Sequence, residues 1–148
     1  MDEKRILSKI DELESYLKEL EKIRPSALEE YERSIKDRRA CERLLQISIE
    51  TVIDIANLIV SELRLGIPSD EDALFSKLKQ NEIISKEMAI TLGEMKGFRN
   101  ILVHKYGEVK DEIVFENLAR LEDFTKFKEE VLEYISGKTL NWKKQNPL

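Results

Sequence analysis

The stretch ERLLQISIETVIDIANLIVSEL, residues 42–63, decides the fold class of this chain. Its apolar residues recur four and three positions apart, the spacing that places side chains on one face of an α-helix. This face comprises Leu45, Ile49, Val52, Ala56, Ile59 and Leu63. No helix-breaking residue interrupts the chain between Pro25 and Gly66-Ile67-Pro68. The pattern therefore predicts one unusually long helix over about residues 27–64.

The segment before Pro25 has the same helical pattern. Its apolar residues predict a helix over about residues 3–23 and lie at Ile6, Ile10, Leu13, Leu17 and Leu20. Ser26 and Glu29 have the spacing of a capping box, so we expect them to begin the long helix that follows.

Three further helices are expected after Pro68. Ser69 and Asp72 are predicted to cap a short helix, EDALFSKLKQ, and a longer one begins near residue 85 and ends at Gly107. Asp111 is predicted to cap the last long helix. Its inward residues are Val114, Leu118, Leu121, Phe124, Phe127, Val131 and Ile135.

No segment has the period-two alternation of a β-strand. We therefore expect an all-α, antiparallel bundle of four main helices plus a short helix, formed as one domain by residues 1–136. Residues 137–148 are expected to be a polar tail, either disordered or held in place by Trp142.

The charge balance limits the kinds of partner. The net charge of −5 argues against a non-specific nucleic-acid coat, although it leaves room for a local basic groove. Arg38, Arg39 and Arg43 could form such a groove, or they could be a solvated helix face with charge pairs, which is the commoner outcome. They surround Cys41, the single cysteine, which is either activated by these cations or a small core residue.

The sequence indicates a soluble, cytoplasmic protein. The N-terminus is charged from its second residue, unlike a signal peptide, and no apolar run approaches the roughly 20 residues of a membrane helix. One cysteine permits no intrachain disulfide. Neither glycine-rich nucleotide motif is present and a zinc site lacks ligands, so we expect no metal and no cofactor.

The helix that begins near residue 85 has polar residues where its pattern predicts apolar ones. Met88, Leu92 and Met95 form a stripe whose continuation reaches Arg99 and Tyr106. A buried arginine needs a partner, because desolvating it alone costs several kcal/mol. One interpretation is a structural ion pair with an acid on a neighbouring helix, such as Asp54.

His104 is the only histidine in the chain. It shares a face with Asn100 but lies about 140° around an ideal helix from Arg99. Arg99 and His104 could converge through a helix distortion at Gly97 or Gly107, or through a second copy of the helix across a two-fold axis. Gly93 and Gly97 have the GxxxG spacing, which suits close helix packing between two copies or within one chain.

This residue set suits metal-free cleavage of RNA. An arginine binds a phosphate with paired hydrogen bonds, an amide orients its neighbours, and an imidazole transfers protons near neutral pH. The ribose 2′-OH would then be the nucleophile. The alternative is a structural role, in which His104 is a helix-end residue that interacts with backbone carbonyls.

The pattern Arg99-Asn100-x-x-x-His104-x-Tyr106 resembles the motif of HEPN-domain ribonucleases, specifically the HepT-type toxins. Residues 42–63 also resemble the long second helix of that group, and residues 92–106 resemble its motif helix. The order and length of the helices are similar over about residues 1–136.

The resemblance implies a HEPN-type bundle, a homodimer, and a metal-independent endoribonuclease acting on RNA, with tRNA as a plausible substrate. Arg99 would bind the phosphate, His104 would transfer protons and Asn100 would support both. A minimal nucleotidyltransferase antitoxin, MntA-like, would be the partner and would adenylylate Tyr106. Two alternatives remain at this point: a non-catalytic HEPN protein that binds a nucleotidyltransferase or nucleotides, and a plain helical adaptor.

Overall fold

The computed structural model describes residues 2–105 and 108–145, with side chains through residue 137. Within these residues the chain is helical and contains no strand, which confirms the all-α class. The helices are α1 (Glu3–Ile23), α2 (Leu28–Arg33), α3 (Ile35–Glu62), α4 (Glu71–Gln80), α5 (Lys86–His104), α6 (Asp111–Leu118) and α7 (Glu122–Gln145).

Helix α1 has the predicted bounds, and every residue of its predicted apolar stripe is buried. Asp2 precedes it and accepts a hydrogen bond from the Lys4 amide at 3.2 Å. The backbone amide of Asp2 also donates to Glu62 at the far end of α3, at 2.8 Å. The apolar stripe of α1 packs along α3, so these two helices form the most extensive pair of the bundle.

The predicted helix over 27–64 is divided at Ser34, so this prediction is wrong in one respect. The backbone at Ser34 is extended, and its hydroxyl accepts a hydrogen bond from the Asp37 amide at 3.1 Å. Serine can stop one helix and cap the next in this way without any proline or glycine. The predicted capping box at Ser26 is also wrong, because α2 begins at Leu28 after Ala27, which makes no side-chain cap.

The short helix α4 has its predicted residues but a different cap. Asp70, not Ser69, is the N-cap, and its carboxylate accepts a hydrogen bond from the Ala73 amide at 2.7 Å. Asp72 lies in the first turn and forms an ion pair with Lys96 of α5 instead of a cap. Helix α4 packs against both α3 and α5.

The last predicted helix is divided at residues 119–121 into α6 and α7. Asp111 is the first residue of α6 and not its cap, which is Lys110. All the predicted inward residues of this region are nevertheless buried. Helix α7 continues to Gln145 and so enters the predicted tail, while the side chain of Trp142 lies outside the described part of the molecule.

The core runs through the whole bundle, and α3 is its central helix. By length and composition alone α3 could span a membrane, with a mean hydropathy of 1.5 over its most apolar window. Its apolar residues instead contact the other helices, since most of those from Leu45 to Val60 are buried.

Cys41, in the first half of α3, is fully buried too, and burial raises the pKa of its thiol to about 11. It is a core residue and not an activated one.

Candidate functional site

The candidate site lies in the last two turns of α5. Ser85 begins this helix by accepting a hydrogen bond from the Met88 amide at 3.1 Å. Phe98, and not Arg99, continues the buried stripe of the helix, which comprises Met88, Leu92, Met95, Phe98 and Leu102. Arg99 therefore lies beside the core, with its side chain 16% exposed, and the prediction that it occupies an apolar position is wrong.

Arg99 is held by two acceptors. Its Nη2 donates to Glu71 Oε1 at 2.5 Å, and its Nε donates to Asn100 Oδ1 at 3.0 Å. Glu71 is the first residue of α4, so the expected ion pair with a neighbouring helix exists. Its partner is not Asp54, which instead lies 3.7 Å from Lys9.

His104 is the last residue of α5 and is exposed to solvent. Asn100 lies one turn before it on the same side of the helix. Because α5 is continuous from Lys86 to His104, Gly97 does not distort it, and the angular offset between Arg99 and His104 remains. Asn100 thus lies between the two: it contacts Arg99 and shares the face of His104.

The exposed face of α5 has a line of short or apolar side chains between the charged residues Lys86, Glu87 and Glu94. Ile90, Gly97 and His104 are each seven residues apart, so they follow one another along that face. Ile90 is 60% exposed, and a Cβ placed on Gly93 or Gly97 would meet no atom within 4 Å. Within the described residues, nothing in the chain itself packs closely on these glycines, so the monomer-packing interpretation of the GxxxG spacing is wrong.

A second ion pair connects the same two helices. Lys96 Nζ lies 2.8 Å from Asp72 Oδ1, one turn before the Arg99–Glu71 pair. The N-terminal end of α4 is therefore fixed to α5 at two adjacent positions. Tyr106, the remaining motif residue, lies outside the described residues.

The arginines near Cys41 are mostly paired. Arg38 lies 3.5 Å from Asp111, and Arg39 lies 2.8 Å from Glu42, three residues on. Arg43 is exposed on α3. These contacts are typical of a solvated helix face with charge pairs, the commoner of the two interpretations.

Sequence reasoning missed Glu71. The sequence feature that pointed towards such a residue was Arg99 itself, because a partly buried arginine needs an acid on a neighbouring helix. The chain has 30 acidic residues, and only the packing of α4 against α5 selects this one.

Comparison with protein families and curated proteins gives a consistent result. The model of the family described as ribonuclease HepT-like matches residues 10–131. The mRNA nuclease HepT of Shewanella oneidensis is 42% identical over 84 residues, which cover 56% of this chain and 63% of that protein. The tRNA nuclease HepT of Aphanizomenon flos-aquae is 31% identical over 110 residues, which cover 74% of this chain and 75% of that protein.

Solved structures share the fold. A toxin–antitoxin complex with AMP-PNP contains a chain with a TM-score of 0.80 and 29% identity, covering 86% of this chain and 97% of that one. The tri-AMPylated HEPN toxin of Shewanella oneidensis, in complex with the MNT antitoxin, has a TM-score of 0.79 and 30% identity, covering 86% of this chain and 96% of that one.

Proposed function

The chain belongs to the ribonuclease HepT-like family, and from this premise we propose that it is the nuclease toxin of a toxin–antitoxin pair. The observation that carries the proposal is the Arg99–Asn100 pair one turn before an exposed His104. Its relatives include an mRNA nuclease and a tRNA nuclease, so RNA is the substrate class and tRNA the first substrate to test.

The three site residues have complementary roles in cleavage. The ribose 2′-OH attacks the adjacent phosphorus, and the bond from phosphorus to the 5′-oxygen breaks. One imidazole takes the 2′-OH proton and a second one protonates the departing oxygen. Arg99 stabilises the charge that develops on the phosphate oxygens, and Asn100 orients Arg99. The products are a 2′,3′-cyclic phosphate and a 5′-hydroxyl.

The active form is a homodimer in this proposal. One chain has a single histidine, whereas the reaction uses both a base and an acid. The exposed face of α5 that carries Ile90, Gly97 and His104 supports such a contact, because glycines let two helix backbones approach closely. Pairing two α5 helices along this face brings two His104 side chains towards one another.

The reaction is proposed to need no metal. Among the side chains of residues 2–105 and 108–137, no cluster of three or more His, Cys, Asp or Glu has the arrangement to hold a metal ion. The arginine and histidine supply the charge stabilisation and proton transfer that a metal provides elsewhere. We place the protein in the cytoplasm, where its RNA substrate would be.

The partner is a minimal nucleotidyltransferase antitoxin that adenylylates Tyr106. This part of the proposal rests on the AMPylated toxin in complex with its antitoxin among the similar structures. Tyr106 follows His104 by two residues. An AMP group there adds a negative phosphate and a purine beside the site, and both exclude the substrate phosphate.

The test of the proposed activity is cleavage of purified tRNA in the presence of EDTA. We expect wild-type protein to cut it and His104→Ala to be inactive with unchanged helical circular dichroism. Arg99→Ala is also expected to be inactive, but it removes the partner of Glu71, so His104 is the cleaner probe. Full activity of His104→Ala would refute this mechanism. A wild-type protein that leaves RNA intact yet accepts AMP would favour the non-catalytic alternative.

The test of the switch is mass spectrometry after incubation with the antitoxin and ATP. We expect an AMP adduct on Tyr106, and we expect Tyr106→Phe to keep cleavage while escaping neutralisation in cells. If the adduct forms only elsewhere, or if the Phe variant is fully neutralised, Tyr106 is not the switch.

A further inference from the structure

The guanidinium of Arg99 is occupied along one of its two forks. The Nε–H and one Nη2–H form the side-on fork, and these donate to Asn100 and Glu71 respectively. In the part of the chain that the structure describes, Nη1 has no acceptor. The end-on fork, made by Nη1 and the second Nη2–H, is therefore the fork that remains for a phosphate.

Glu71 is suited to hold this geometry because it is fixed itself. It is the first residue of α4, whose start is ordered by the hydrogen bond from the Ala73 amide to the Asp70 carboxylate. Its side chain is 32% exposed, against 16% for Arg99, so the pair is partly shielded from water. If Asn100 were its single acceptor, the planar guanidinium as a whole could still swing about the hydrogen bond from Nε to Asn100 Oδ1.

We propose that Glu71 is a positioning residue for RNA cleavage, which holds Arg99 so that its end-on fork faces the scissile phosphate. This inference rests on the proposed ribonuclease function. The opposite role is a latch, in which Glu71 competes with the phosphate and must leave before RNA binds. The two roles predict opposite effects when Glu71 is removed.

The first experiment compares steady-state cleavage of tRNA by Glu71→Ala, Glu71→Gln and Asp72→Asn. For Glu71→Ala we expect kcat to fall by about 10- to 100-fold with KM changed less than about threefold, because a misplaced group costs transition-state stabilisation. Glu71→Gln keeps an oxygen that accepts from Arg99, so we expect it to retain most of the activity. Asp72→Asn, which breaks the neighbouring pair between the same helices, is the matched control and should stay near wild type.

Three outcomes overturn the inference or its premise, and they can be told apart. Higher kcat/KM in Glu71→Ala overturns positioning in favour of a latch. Wild-type rates in both Glu71 variants overturn any role for Glu71 while leaving the ribonuclease proposal intact. Wild-type protein that does not cleave overturns the ribonuclease proposal itself.

A second measurement tests whether Glu71 restrains the Arg99 guanidinium, and it does not depend on RNA cleavage. The Nη2 proton of Arg99 that donates to Glu71 can be followed by nuclear magnetic resonance and assigned by its loss in Arg99→Lys. We expect its exchange with water to be faster in Glu71→Ala than in wild type and unchanged in Asp72→Asn. Equal exchange in wild type and Glu71→Ala would refute the restraint that we assign to Glu71, even if the alanine variant loses activity.

Discussion

Helices α1 and α5 both bury one apolar stripe, yet their outward faces differ. The outward face of α1 is dominated by charged residues such as Lys4, Asp11 and Glu12, which suit contact with water. The outward face of α5 carries Ile90, Gly93 and Gly97 before it reaches His104. The comparison indicates that the outward face of α1 suits contact with water, whereas that of α5 includes the apolar and glycine positions on which we propose the contact with a second copy.

The largest expected effect is on the α1 side of this comparison. Leu13 is fully buried against the core, so Leu13→Ala should lower the free energy of unfolding by about 2–5 kcal/mol. Urea denaturation at fixed protein concentration measures it. The exposed Asp11→Ala on the same helix is the control, with an expected change within about 0.5 kcal/mol. Similar losses for both variants would contradict the division of α1 into a core face and a solvent face.

The second effect is on the α5 side and concerns association. Gly97→Glu should raise the dimer dissociation constant at least about 100-fold, or about 2.7 kcal/mol, because it places a charged side chain in the proposed contact. Light scattering across a concentration series measures the change. Gly137→Glu is the matched control, since Gly137 of α7 has equally open surroundings. A Gly97→Glu protein that remains dimeric would move the interface away from this face.

The smallest expected effect is on the free energy of unfolding when a glycine of α5 or of α7 is replaced by alanine. Alanine is a better helix former than glycine, so Gly137→Ala should stabilise the protein by about 0.5–1 kcal/mol. Gly97→Ala should gain less, because its methyl group, which meets nothing in the monomer, would meet the second copy of α5. Thermal unfolding of the two variants measures the difference. An equal gain at both glycines would indicate that no helix backbone approaches Gly97.

The helical pattern predicted the core faces well but not the places where helices end. The stripe of α1 is correct in every residue because burial and periodicity agree there. The breaks at Ser34 and at residues 119–121 were missed, since neither contains a proline or glycine. The hydroxyl of Ser34 ends one helix and begins the next through a local hydrogen bond, and an apolar pattern does not register this.

For the candidate site, the sequence supplied the residues to propose but not their contacts. The motif resemblance proposed the residues, whose roles stay a prediction, and the apolar stripe indicated that Arg99 needs an acid. The stripe nevertheless assigned Arg99 the place that Phe98 takes, because a one-residue shift on a helix changes the periodicity little. The choice of Glu71 over Asp54 depends on how α4 crosses α5, which is a property of tertiary packing.

The burial of Cys41 also makes it an internal reporter of motion. It is the only thiol in the chain and lies in the first half of α3, with no contact to solvent. A thiol reagent can reach it only when that part of the bundle opens, so the labelling rate in native buffer measures how often opening occurs. Cys41 labelling thus reports local unfolding without an added probe, and comparing its rate before and after the proposed adenylylation would tell whether that modification also changes the dynamics of the core.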